Sequence, residues 1–188
     1  SIRNRCNRIF LFDYMQYERF HPQNPACIFY LPLAANTNRW DNVISSFTEE
    51  MQRKYTCDVS FVGSLYTEKS PLSHLSFDDF TQGYLDGLTQ AQLNVPGYNF
   101  FENVLPAHII QSIKEQDSGF YQLPGSFENT DSYVAANYYL GMHASALDRI
   151  RTLAELGNHF HVNLYTRSDT SVFSGNDKLH CLGGVSTH

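Results

Sequence analysis

The chain has 188 residues, 42 % hydrophobic and 14 % aromatic, long enough to bury a core and too apolar for a disordered or fibrous protein. Thirteen Lys and Arg against nineteen Asp and Glu leave a net charge of −6 with no basic run. Duplex nucleic acid is therefore not the expected partner, and no apolar stretch reaches the about eighteen residues of a membrane span.

Residues 7–12 alternate weakly and then turn fully apolar, the pattern of a strand buried on both faces. Asp13 can cap a short helix through Tyr14, Met15, Tyr17 and Phe20, which Pro22 and Pro25 end. Cys27 to Leu31 reads as a second strand stopped by Pro32, so strand, helix and strand predict a parallel βαβ unit. Residues 1–35 are then the end of one domain. Residues 36–55 read as a polar, partly helical connector, and residues 56–188 as the start of a second domain.

In the second part Val59, Phe61 and Val62, with Asp58 and Ser60 between them, form a short strand that runs into Gly63 and Ser64. A Rossmann-type half presents backbone N–H groups to a phosphate from such a turn, and many α/β folds make the same turn for conformational reasons alone. A polar loop follows over Tyr66-Thr-Glu-Lys-Ser-Pro71. Ser76 with Asp79 reads as a capping pair for a helix whose apolar face is Phe80, Tyr84, Leu88 and Ala91. Pro96-Gly97 breaks it, and residues 99–115 read as a second helix with a kink or restart at Pro106. Residues 116–119 and 123–125 are expected loops. The longest helix is expected from Thr130 or Asp131 to about Leu156, stopped by Gly157, and Phe160 to Tyr165 as a closing strand. Two strands joined through helices predict one parallel sheet, and the length of residues 76–130 marks them as an insertion with a helical layer of its own.

Chemistry-bearing residues are few. Lys69, just past the glycine turn, is either a solvated loop lysine or a reach toward a diphosphate. Thr166 and Arg167 follow the carboxyl end of the last strand, where open α/β sheets bind ligands. Arg167 offers a planar donor fork to phosphate or is a surface arginine. His159 and His161 have the spacing of a strand-borne metal pair, but no carboxylate or thiol at ligand spacing accompanies them, so no metal is expected. Cys6, Cys27, Cys57 and Cys181 are far apart and read as reduced thiols at or near a core, which fits a cytoplasmic compartment. The glycine fingerprint of NAD enzymes and the phosphate loop ending in Gly-Lys-Ser/Thr are absent.

Phe10-Leu-Phe-Asp13, Tyr30-Leu-Pro-Leu-Ala-Ala-Asn36 and, most specifically, Asp58-Val-Ser-Phe-Val-Gly-Ser-Leu65 resemble bacterial glycosyltransferases of the CgeB-like (spore maturation) family. Gly83-Tyr-Leu-Asp-Gly-Leu-Thr-Gln-Ala-Gln92 and Val162-Asn-Leu-Tyr-Thr-Arg-Ser-Asp-Thr-Ser171 extend the resemblance in order over most of the chain. The resemblance implies a GT-B architecture, two Rossmann-like halves with a nucleoside diphosphate sugar donor held mainly by the second and an unidentified acceptor by the first. Gly63 and Ser64 would lie beside the donor diphosphate, with Thr166 and Arg167 near the donor cleft. No cofactor is implied, and no catalytic base can be assigned. Both ends of the chain read as interior positions of a longer protein, so the expected product is a glycosyltransferase fragment with a sheet edge or face open to self-association. A glycan- or protein-binding module without chemistry and a sugar-nucleotide epimerase are the alternative readings.

Overall fold

Asp13 turns the chain from its first strand into its first helix. In the computed structural model, which describes residue 2 and residues 4–120 and 131–185, β1 (Ile9–Leu11) is followed by α1 (Tyr14–Phe20). The Asp13 carboxylate accepts the Gln16 N–H at 2.8 Å and so satisfies one of the free donors of the first turn. Pro22 lies in the single 3-10 turn His21–Gln23 that ends the helix. β2 (Ile28–Tyr30) then pairs with β1 in parallel, Ile9 opposite Ile28 and Leu11 opposite Tyr30. Burial on both faces, expected from the apolar run, is not found. Phe10 and Phe12 are each 59 % exposed, and the buried hydrophobic residues of this region are Cys27 and Ile28. Two three-residue strands and one seven-residue helix offer packing partners on one side only.

Residues 36–55 form two capped helices. Asn36 accepts the Arg39 N–H at the start of α2 (Thr37–Ser45), and Thr48 accepts the Met51 N–H at the start of α3 (Glu49–Tyr55). Glu49 and Glu50 in the first turn of α3, with Arg53 and Lys54 in its last, follow the helix dipole. These helices belong with β1 and β2 to one unit, Ser1–Thr56; a second unit spans Cys57–His188.

The second unit is built on a three-stranded parallel sheet in the order β3-β4-β5, formed by Val59–Val62, Val162–Tyr165 and Leu179–Cys181. Val59 lies opposite Val162, and Val162 opposite Leu179. β5 was not legible in the sequence, because its three residues contain one buried side chain, Leu179, and a period of two needs more than that to show. Val162, Leu164 and Leu179 form a core with Leu65, Leu153 and Phe173.

A separate core fills the helical layer expected between the strands, with Leu85, Phe101, Ile109, Ile113, Tyr139 and Leu140 at its centre. α4 (Asp79–Leu93) is capped by Asp78, not by the Ser76–Asp79 pair; the Asp78 carboxylate takes the N–H groups of Phe80 and Thr81, both at 3.0 Å. The buried stripe is correspondingly Thr81, Leu85 and Thr89, with Tyr84 and Leu88 at its flank, while Phe80 is 69 % exposed. Threonine fits this stripe because its hydroxyl finds a local acceptor, Asp78 for Thr81 and the Leu85 carbonyl for Thr89. Pro106 restarts the chain between α5 (Phe101–Val104) and α6 (Ala107–Gln116). The expected loop at 123–125 lies outside the described residues, as does Thr130.

The long helix begins at α7 (Asp131–Val134), passes through a π-helical segment (Ala135–Leu140) and continues as α8 (Gly141–His159). Gly157 does not end it. It is buried inside the last turn, where a Cβ would lie 2.8 Å from Leu179 Cγ and 2.7 Å from Asn176 Nδ2. This glycine lets the helix approach β5, a role that needs knowledge of a strand the sequence did not reveal. Phe160 then leaves the helix and stays outside β4.

Candidate functional site

The carboxyl ends of β3 and β4 are neighbours, since Val62 pairs with Tyr165 and the Gly63 N–H donates to the Tyr165 carbonyl at 3.1 Å. The turn after β3 and the turn after β4 therefore meet, and Ser168 ties them together. Its hydroxyl accepts the Leu65 N–H at 2.9 Å, and its own N–H donates to Thr166 Oγ1 at 3.1 Å. Ser168 and Thr166 are buried, at 9 % and 5 % exposure, so both are committed to this junction.

Three hydroxyls converge on one carboxylate here. Ser64 and Ser168 donate to Glu68 Oε1 at 3.2 Å and 3.0 Å, and Thr67 donates to Oε2 at 2.9 Å. Each serine hydroxyl carries one proton, so with both directed at Glu68 the 3.4 Å contact between them brings two acceptors together. The Glu68 carboxyl is held below the usual carboxylate range, first by its own backbone N–H, then by Thr67, Ser168 and Ser64.

Cations approach the same turn. Arg149, on α8, donates from Nη1 to the Ser64 carbonyl at 2.8 Å, and its guanidinium lies 4.2 Å from the Tyr66 ring centroid. Lys69 stands over the same ring at 5.1 Å. Tyr66 itself holds φ 67°, the left-handed region that residues with a Cβ rarely adopt. Its N–H is taken by Ser64 Oγ at 3.0 Å.

The turn thus differs from the one read in the sequence. Backbone N–H groups of Gly63, Leu65 and Tyr66 are engaged within the fold, and side-chain hydroxyls gather at the turn beside them. The left-handed position is Tyr66, and a Cβ on Gly63 would meet only ordinary contacts, 3.5 Å to Phe61 and 3.8 Å to Arg149. Of the five residues singled out, Ser64 and Thr166 come together through Ser168, Gly63 is tied to the same junction by the Tyr165 carbonyl, and Lys69 joins them through Tyr66. Arg167 is exposed and lies against Gly184, where a Cβ would overlap its Cγ. Sequence reading missed Glu68, Ser168 and Arg149. Arg149 carried a signal, as a charge on the helix stripe of Ala146, Ile150 and Leu153.

The remaining candidates separate. His159 pairs with Glu155 at the end of α8, whereas His161 stacks on His180 with 3.3 Å between ring nitrogens. Among the described residues no group of three or more His, Cys, Asp or Glu is placed to hold a metal ion, and no helix is long and apolar enough to cross a membrane. The four cysteines are free; Cys27 is buried and Cys57 half-buried, but Cys6 and Cys181 are exposed, the latter on an edge strand.

The fold defines a mixed α/β protein with short parallel sheets and a helical layer. No protein-family model, curated protein or solved structure matches the chain.

Proposed function

We propose that the chain is part of a CgeB-like, GT-B glycosyltransferase, and that the ends of β3 and β4 bind the diphosphate of a nucleoside diphosphate sugar. One observation carries the reading: hydroxyls of Ser64, Thr67 and Ser168 already converge on an anion, beside the cations of Arg149 and Lys69, at the carboxyl ends of two parallel strands. Hydroxyl donors with an arginine and a lysine are the groups a site without a metal uses to stabilise a departing diphosphate. Gly63 stands next to Arg149, whose Nη1 would lie 3.8 Å from an added Cβ, and Thr166 holds Ser168 in place. The acceptor side belongs to the rest of the reading, as do a cytoplasmic location and self-association through the sheet face on which Val62 is 64 % exposed.

Thermal melts with UDP, GDP, dTDP and ADP test the proposal. A ligand at about a hundred times its Kd stabilises by about 2.7 kcal/mol. One of the four should raise the melting temperature of the chain, and Arg149→Ala should abolish the shift while leaving the unliganded protein folded. No shift with any of the four favours a binding module without chemistry.

A further inference from the structure

The seat at the ends of β3 and β4 is filled by an anion of the chain's own. Glu68 is exposed, yet both carboxylate oxygens are engaged, Oε1 by Ser64 and Ser168 and Oε2 by Thr67. Ser64 and Ser168 come from different loops, 104 residues apart, and are aimed at one point. The short turn that carries the carboxylate, Thr67–Lys69, starts at the left-handed Tyr66, so its path is one that the backbone adopts only when held. A phosphate oxygen would accept from the same hydroxyls. It cannot do so while the carboxylate is there, because the two are like charges competing for the same donors.

We infer that Glu68 is a competitor built into the site: its carboxylate occupies the oxyanion seat of the unliganded chain, and a diphosphate binds by displacing it from Ser64, Thr67 and Ser168. The inference rests on the proposed function in taking the incoming anion to be a diphosphate. It adds that affinity is set by an exchange of anions, not by filling an empty seat. It also makes residues 66–69 the segment that moves, since the carboxylate leaves only if its turn or its side chain swings away.

Inorganic pyrophosphate, titrated by calorimetry into the wild-type chain, Glu68→Gln and the double variant Glu68→Gln/Ser64→Ala, tests this directly. Glutamine keeps the size of the side chain and an acceptor for the serines, and half-buried Ser64 leaves the Tyr66 N–H within reach of water, so both variants should fold; their melting temperatures verify it. Pyrophosphate should bind Glu68→Gln about tenfold tighter than wild type or better, and the added Ser64→Ala should remove the gain. Equal affinity in wild type and Glu68→Gln overturns the inference, as does weaker binding by Glu68→Gln or no binding by either. The nucleotide reading fails separately. If Glu68→Gln gains pyrophosphate affinity but UDP, GDP, dTDP and ADP bind no better than pyrophosphate, the anion exchange stands and the nucleoside is removed from the site.

Discussion

Ser70 and His143 show how a single part-buried contact ties the site's loop to its scaffold. Ser70 is 1 % exposed, and its hydroxyl lies 3.2 Å from His143 Nδ1 on α8, just beyond the turn that carries Glu68 and Lys69. Burial pushes the His143 imidazole below its usual pKa, and the charge of Asp86 opposes the shift only in part. The folded chain therefore binds this proton less well than the unfolded chain. Stability from His143 is full above the unfolded value of about 6.5 and falls as the pH drops below it. Melting curves from about pH 8 to about pH 5 should show that loss, and His143→Gln should flatten it. An unchanged slope in His143→Gln would place the acid sensitivity elsewhere. Tyr66 is the other residue whose cost is local: a left-handed L-residue costs about 1–2 kcal/mol, and the Arg149 and Lys69 contacts to its ring help to offset it.

At the scale of elements, glycines inside helices make opposite predictions. Gly83 and Gly87 lie in α4, where an added Cβ would meet nothing within 4 Å, so alanine at either should stabilise by about 0.5–1 kcal/mol through helix propensity. Gly157 has the same propensity to gain, but its Cβ would overlap Leu179 and Asn176, and forcing a packed contact costs about 1–3 kcal/mol. Denaturant titration should find Gly83→Ala more stable than wild type and Gly157→Ala less stable; the reverse order would mean that α8 does not rest on β5. These cases also mark how far local sequence carries. β1 to β4 and the Asp13 cap follow from residues adjacent in sequence and were legible. The α4 stripe was misplaced by one residue because Phe80 outranks Thr81 in hydrophobicity, and only tertiary contact reveals that threonine is the buried side chain. Gly157 read as a stop because its packing partner, Leu179, is about 20 residues away on an edge strand with one core side chain.

For the whole molecule, the two units differ in what holds them. Cys27 and Ile28 are the buried hydrophobic residues described in the first, against two separate cores in the second. Amides in Ile9–Leu11 and Ile28–Tyr30 should accordingly exchange with solvent faster than those in Val162–Tyr165. The candidate site was half legible for a related reason. Gly63, Ser64 and Thr166 stand at strand ends that periodicity locates, whereas Arg149 and Ser168 reach Ser64, Leu65 and Glu68 through contacts across about 80 to 100 positions of sequence, and Glu68, though close to Ser64 and Thr67 in the chain, shows its role only once Ser168 is beside it. Hydrogen exchange also provides the most direct test of the central claim, that a nucleoside diphosphate binds where β3 and β4 end. With the nucleotide that shifts the melt, new protection should concentrate in residues 63–70 and 166–171. Protection confined to other segments, or none at saturating nucleotide, would contradict the account.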